Sequence, residues 1–465
     1  MSRATGGALS LDLGARRTIH VVGMGGAGMS AISLVLAGMG HRVSGSDLRD
    51  SATLDRLRAA GVTVHVGHDP AHLPDALDAV VISTAIPDSN AEVGAARTRG
   101  IPVLRRAEAL AAIVATRRTI AVAGSHGKTT TSSMLALILR QAAWRPSFVI
   151  GGDLNEVGTN AAYDEGEWLV VEADESDGTF LELAPEAILV TNVEPDHLDY
   201  YGRFDALVDA FGRFIDGART RVVCADDVIA ARLAEAAGAV TYGFAAGADY
   251  RVSEYSGDRA GARFVLERHG LRLGAIEIPV PGRHNALNAA GATALALELG
   301  AGFEHAVRAL AGFGGVARRF QYRGEVRGVT LIDDYAHLPG EVAPMVHAAR
   351  EGDWRRVVVV FQPHRYSRTA RLWRDFADAF CGADALVLTD VYPAGEAPRA
   401  GVSGHLILRA VLDAHPDLPV TYLPQRADVV DHALDLARSG DVLLMLSAGD
   451  LTTVPDVWLA REPQP

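Results

Sequence analysis

Of the 44 basic residues in this 465-residue chain, one is a lysine: Lys128, in Ala123-Gly124-Ser125-His126-Gly127-Lys128-Thr129-Thr130. Every other Lys/Arg position is arginine. A compact ammonium closing a glycine loop is a point charge that fits among phosphate oxygens, a task a planar guanidinium does poorly. The segment reads as a shortened phosphate loop, G-x-x-G-K-T, with Val122 where the usual spacing has its first glycine. Gly124, Ser125, His126 and Gly127 bring backbone N–H groups to the phosphates, Lys128 brings charge, and the Thr129 hydroxyl can reach Mg²⁺ with Thr130 beside it. ATP is the implied ligand.

A second glycine loop, Gly23-Met24-Gly25-Gly26-Ala27-Gly28-Met29-Ser30, fits G-x-G-x-x-G. Its glycines permit a tight turn and close backbone approach to a diphosphate at a helix N-terminus. Asp47 follows at the end of the next strand-like segment, where an acid commonly meets a ribose hydroxyl. The pattern indicates a diphosphate nucleotide without separating NAD from UDP.

Two acidic clusters, Glu172–Asp177 and Glu194-Pro195-Asp196-His197, each follow an apolar run. Glu172 and His197 stand at strand ends, where open α/β sheets gather ligands, and are candidate metal ligands. Glu175 and Asp177 read as solvated loop acids. Asn285 and Asn288 open a helix after Pro281-Gly282-Arg283-His284, and Asn285 also suits a helix cap. Asp333–His337 and Gln362–Thr369 each follow a strand-like run, with Arg365 and Arg368 spaced for one helical face that clamps a carboxylate. Singly these are ordinary caps or surface groups. Together they converge on one edge of one sheet.

Those groups need elements to carry them. Short β-branched runs at Thr18–Val22, Arg42–Ser44, Thr63–His65 and Ala79–Ile82 alternate with helical stretches, ending in a helix near Arg105–Ile113. A second alternation has strands Thr119–Ala123, Trp168–Val171, Ala187–Thr191 and Arg221–Cys224, and helices Thr129–Gln141, Asn285–Leu299 and Glu304–Ala311. Tyr250–Val252, Arg263–Leu266 and Leu271–Ile278 alternate as antiparallel strands do. After the glycine-rich break Gly312–Ala317, a third set runs through Thr330–Ile332, Arg356–Phe361, Ala385–Leu388, Val420–Leu423 and Val442–Leu446. The rhythm is that of parallel sheets with crossover helices, in three domains with boundaries near 113 and 316.

A net charge of −13 and the lack of basic runs interleaved with aromatics argue against nucleic-acid binding. No apolar run approaches a membrane span. Met1–Arg17 lacks the order of a signal peptide, and Arg461–Pro465 reads as a loose tail. Cys224 and Cys381 read as buried free thiols with no metal-ligand spacing, in keeping with a reducing compartment.

In this order the motifs resemble the Mur ligase family nearly end to end. Further support comes from Ser44–Asp47, Gly151–Asn155 with Gly158–Asn160, Asp390–Glu396 and His284–Asn288. The resemblance implies an α/β fold of three domains. These are a Rossmann-like N-terminal domain for a UDP-sugar (1–113), a central P-loop ATPase-like domain (114–316), and a mobile Rossmann-like C-terminal domain for an amino acid (317–465). It implies a cytoplasmic enzyme, monomeric or weakly dimeric, that uses ATP and Mg²⁺. The lactyl carboxylate of UDP-N-acetylmuramate becomes an acyl phosphate and is then captured by the amine of L-alanine. A sister activity captures a preformed peptide instead.

Carried over by position, Gly23, Gly25, Gly26, Gly28, Met29, Ser30 and Asp47 would meet the UDP-sugar. Thr129, Glu172 and His197 would hold metal. Asn285, Asn288 and Arg319 would meet ATP, and His337, His364, Arg365 and Arg368 the amino-acid carboxylate or the phosphates. Two departures stand out. Where relatives show two histidines before a proline, this chain has His337-Leu338-Pro339. Several sister ligases also bridge their metals with a carbamylated lysine in the central domain, and no lysine stands there. Two readings of other classes are an NAD-dependent dehydrogenase built on Gly23–Gly28 and a non-catalytic ATP-binding switch.

Overall fold

A computed structural model describes residues 11–83 and 85–461. Most of Met1–Arg17 and of the tail segment therefore lies outside the described residues. Arg461, read as tail, ends the helix Val454–Arg461.

Among the described residues there are three sheets. The first has five parallel strands, in the order Thr63–Val66, Arg42–Asp47, Thr18–Val22, Ala79–Ile82, Val103–Arg105. The order reverses direction beside Thr18–Val22, which places the Gly23–Ser30 loop at the point where such sheets bind ligands. In the second sheet Arg118–Ala123 lies between Ala187–Val190 and Trp168–Glu172, all parallel. Thr220–Cys224 and Val240–Gly243 extend it on one side and Ser147–Leu154 with its antiparallel partner Thr159–Ala162 on the other. The central strands Arg118–Ala123, Ala187–Val190 and Trp168–Glu172 are largely apolar on both faces, as helix-covered parallel sheets require.

The third sheet runs Gln321–Val326, Val329–Asp334, Val442–Leu446, Val357–Phe361, Ala385–Leu388, Val420–Tyr422, and only its first pair is antiparallel. Alternate side chains feed two cores. Val357, Val359 and Phe361 pack with Phe376 and Phe380 on one face, while Val360, Leu443 and Met445 pack with Trp458 on the other.

By internal packing the chain forms two compact units. One gathers the described residues up to Arg251 with Glu267–Leu273 and Asn288–Ala309, so the first sheet and the strands of the second from Arg118–Ala123 to Val240–Gly243 share it. The other gathers Val252–Leu266, Gly274–Leu287 and the described residues from Leu310 onward. Cys224 is buried, and burial pushes its thiol up to about 12. Cys381 is exposed, contrary to the expectation of two buried thiols. It lies at the end of the turn that follows the buried Phe380, so the core takes its neighbour and leaves its own side chain outside.

One buried carboxylate ties the first sheet together. Glu92, on the helix Ala91–Thr98, is fully buried. Its Oε2 accepts from Ser46 Oγ at 2.5 Å and lies 3.6 Å from His20 Nε2, while Oε1 lies 3.0 Å from His72 Nδ1. Burial alone would raise its pKa, but the contacts with His20, Ser46 and His72 outweigh it and hold the group at about 2 against an ordinary 4.5. Because the folded value is depressed, this stabilisation is complete above the unfolded pKa and is lost as pH falls through the folded one. Glu92→Gln is therefore expected to lower unfolding free energy at neutral pH by up to about 3 kcal/mol. Urea midpoints should show that gap narrowing from about pH 5 toward about pH 3. A gap independent of pH would contradict the assignment.

Candidate active site

The strand Arg118–Ala123 delivers the lysine loop, and a fourteen-residue helix begins at Lys128 itself. Gly127 holds φ +79°, and no side chain caps the helix's first turn. The amide end of the helix is thus left to favour an anion. A Cβ on Gly127 would stand 2.6 Å from Asn288 Oδ1, so glycine here serves both the turn and the close approach of Asn288. The loop after Ala187–Val190 braces the other side. Asn192 Oδ1 accepts the His126 N–H (2.8 Å), Thr191 Oγ1 donates to the His126 carbonyl, and Ser125 Oγ accepts the Glu194 N–H (2.8 Å). His126 Nε2 lies 3.1 Å from Glu194 Oε2.

Lys128 Nζ donates to both carboxylate oxygens of Glu175, at 2.9 and 3.1 Å, and to the Gly124 carbonyl at 2.6 Å. Glu175 is only 1 % exposed. The reading of Glu175 as a solvated loop acid is wrong, because the part-buried lysine draws it in as its counter-charge. Burial disfavours the Lys128 ammonium, yet Glu175, Asp174 and Glu172 together raise its pKa, so it stays charged. Burial, with the charge of Asp174, also pushes Glu175 up, against the pull of Lys128. The lysine thus keeps its proton, while burial works against the charge of its partner carboxylate.

Beside this pair, Thr129 Oγ1 donates to Glu172 Oε1 at 3.1 Å, and Glu172 Oε2 accepts the Gly151 N–H at 2.7 Å. Hydroxyl and carboxylate oxygens are the donors Mg²⁺ prefers, so the residues present fit that ion. His197, at φ +52°, precedes the short helix Leu198–Tyr201. Its Nε2 lies 3.1 Å from Asp196 Oδ2 and 3.9 Å from Glu175 Oε1.

The first glycine loop is folded onto its neighbouring strand. Gly23 and Met24 donate to the Ser46 carbonyl, and Gly25 N–H donates to Asp47 Oδ2 at 2.9 Å. Asp47 therefore shapes the loop. Gly26 precedes the helix Ala27–Gly38, again with no side-chain cap; Met29 is buried, and Ser30 Oγ donates to the Ala27 carbonyl. A Cβ on Gly28 would come within 3.1 Å of Arg106 Nη1, and Arg106 Nη2 lies 3.5 Å from Asp174 Oδ2. Arg106 thus stands between the first glycine loop and the acidic run beside Lys128. Sequence reasoning passed over it, and the only available signal was a cation at a helix start.

In the second unit, the ends of Val329–Asp334, Val442–Leu446, Val357–Phe361 and Ala385–Leu388 are level, with Asp334, Leu446, Phe361 and Leu388 in register. The loops Asp333–His337 and Gln362–Thr369 share that edge, as the sequence suggested, whereas Pro281–Asn288, expected with them, leads into the helix Arg283–Glu298 and follows no strand of this sheet. His337 and His364 meet edge-on (centroids 5.3 Å), and His364 stacks on Tyr392 (5.8 Å). Arg368 Nη1 donates to His364 Nδ1 at 3.0 Å. A guanidinium only donates, so the His364 proton resides on Nε2. Burial, with His337, Arg368 and Arg365, lowers His364 to about 3, leaving it neutral.

Arg365 and Arg368 do not share a helical face. Arg365 precedes the helix Tyr366–Leu372 with φ +68°, because its N–H is taken by the Tyr392 carbonyl. Arg319 and Arg318 flank the Tyr335 ring at 5.4 and 4.7 Å. Leu338 is buried, so the position of the second histidine is given to packing. Asn285 Nδ2 donates to the Pro281 carbonyl at 2.7 Å, bracing the start of its helix.

Three family models match successive parts of the chain: Mur ligase family, catalytic domain (residues 18–118), Mur ligase middle domain (122–296), and Mur ligase, glutamate ligase domain (318–449). The chain is 46% identical over 438 residues to the UDP-N-acetylmuramate–L-alanine ligase of Geotalea daltonii, covering 93% of this chain and 95% of that one. Identity to the ligase of that name from Rubrobacter xylanophilus is 44% over 453 residues, 95% and 99% of the two chains. Among solved structures, the UDP-N-acetylmuramate–alanine ligase of Thermotoga maritima superimposes with a TM-score of 0.81 at 29% identity, over 96% of this chain and 99% of that one.

If Glu175 competes with phosphate for Lys128, Glu175→Gln should tighten ADP binding, by roughly tenfold for about 1.4 kcal/mol of released competition. Calorimetric titration measures this directly. Weaker binding in the variant would contradict the exchange.

Proposed function

This chain belongs to the Mur ligase family, and from that premise we propose that it joins L-alanine to the lactyl carboxylate of UDP-N-acetylmuramate. ATP is split to ADP and phosphate, a step in making peptidoglycan precursor in the cytoplasm. The observation that carries the ATP half is the part-buried Lys128 at an uncapped helix start, beside Thr129 and Glu172. The acceptor half is supported by the name borne by relatives that are 44 to 46% identical over nearly the whole chain. We assign the UDP-sugar to 1–113, ATP to 114–316 and the amino acid to 317–465. A dehydrogenase reading leaves the Lys128 loop without a purpose.

A lactyl carboxylate oxygen attacks the γ-phosphorus, ADP leaves, and an acyl phosphate forms. The alanine nitrogen then attacks the acyl carbon, losing a proton, and the tetrahedral centre expels phosphate. The first step brings an anion onto a polyanion, so its barrier is electrostatic. Lys128 and the amide end of its helix lower it by opposing the charge that gathers on the phosphoryl oxygens. Mg²⁺ held by Thr129, Glu172 and His197 would add Lewis-acid neutralisation there. Gly23, Gly25, Gly26, Gly28, Met29, Ser30 and Asp47 present the UDP-sugar, the backbone N–H groups facing its diphosphate. Arg368 is kept rigid by the neutral His364 and, with Arg365 and His337, suits the alanine carboxylate.

Phosphate release with ATP and UDP-N-acetylmuramate, across L-alanine, glycine, L-serine and a tripeptide, tests the proposal. L-Alanine should give the highest kcat/KM. Release only with the peptide would replace this reading by the sister activity, and none with any acceptor would leave an ATP-binding switch. Lys128→Arg should lower kcat/KM by roughly a thousandfold while sparing UDP-sugar affinity. Near-normal turnover in that variant would defeat the phosphate-grip argument.

A further inference from the structure

Away from every loop considered above, three metal-ligating side chains of different chemistry meet on the surface of the C-terminal unit. Asp378 Oδ1 lies 2.8 Å and Cys381 Sγ 3.4 Å from the same atom, His415 Nε2. The three donor atoms all lie within 4.8 Å of one another. We propose that Asp378, Cys381 and His415 form a binding site for one borderline-soft divalent ion of the zinc class, distinct from the magnesium of phosphoryl transfer.

Donor chemistry selects the ion. Thiolate together with imidazole favours zinc-type ions, whereas magnesium takes mainly oxygen ligands and no thiolate. Geometry agrees. On a tetrahedral zinc, a sulfur at about 2.3 Å and a nitrogen at about 2.0 Å stand about 3.5 Å apart, and nitrogen and carboxylate oxygen about 3.3 Å. The observed 3.4 Å already fits, and the carboxylate need retreat by only about half an ångström to admit the ion. Three protein ligands leave a fourth position open.

The ligands are held by the fold. Asp378 and Cys381 project from the turn whose Phe376, Ala379 and Phe380 are buried in the core, and the Cys381 N–H donates to the Asp378 carbonyl at 3.1 Å. His415 ends the helix His405–Ala414, whose Ile407 and Val411 belong to the same core. Two core-anchored segments thus fix three side chains that are spaced apart in sequence. Binding replaces the thiol proton by the ion and releases that proton to solvent.

Cobalt(II) titration of the full chain tests the site, because a cobalt–thiolate bond gives a charge-transfer band that oxygen sites do not. One equivalent should raise the band. Zinc should abolish it by displacement, and excess magnesium should not. Cys381→Ser should lose the band, and His415→Ala should lose it or require at least tenfold more cobalt. Both side chains lie at the surface, so both variants should keep the parent's circular dichroism and ligase turnover. Absence of the band in the parent, or its persistence in Cys381→Ser, would overturn the proposal.

Discussion

A single part-buried ammonium sets the terms for the rest of the active site. Lys128 is held where water is scarce, and a cation there must be paired or lose its proton. Glu175 supplies the pairing, reinforced by the charges of Asp174 and Glu172. The acids that follow Trp168–Glu172 therefore do two things. They keep the lysine charged while phosphate is absent, and through Glu172 and Thr129 they offer oxygens to a metal. Because both tasks draw on one short run, the spacing Glu172-Ala173-Asp174-Glu175 is mechanically constrained.

Rigidity around that pair comes from backbone partners. Asn192, Thr191 and Ser125 fasten the loop through hydrogen bonds to main-chain atoms, and Gly151 fixes the far oxygen of Glu172. The first glycine loop is shaped in the same manner by Asp47, then joined through Arg106 to Asp174. The lone lysine also narrows the metal chemistry. Lys128 Nζ is taken up by Glu175 and the Gly124 carbonyl, and the sequence has no second lysine. Any second ion must rely on carboxylate, imidazole, water and substrate oxygens.

Sheet strands were readable where short apolar runs are buried on both faces. Ala79–Ile82, Ala385–Leu388 and Val442–Leu446 match their expected limits. Ser147–Leu154 and Thr159–Ala162 escaped because Gly151, Gly152, Asp153 and Asn160 are poor strand formers, held extended by pairing rather than propensity. Gln321–Val326 escaped because its Arg323 and Glu325 lie on an edge strand. In the site, the loops and strand-end residues were legible because glycine spacing and position carry their own mechanism. Glu175, Asn192 and Arg106 were not, since their roles arise only when distant segments meet. The Asp378–Cys381–His415 cluster was hidden for the same reason.

The uniqueness of Lys128 makes the central claim directly observable. Nitrogen-labelled lysine yields one ammonium resonance from the whole protein. Exchange of Glu175 for phosphate predicts that ADP with Mg²⁺ moves this resonance, whereas UDP-N-acetylmuramate alone leaves it in place. A resonance unmoved by saturating nucleotide would contradict the account.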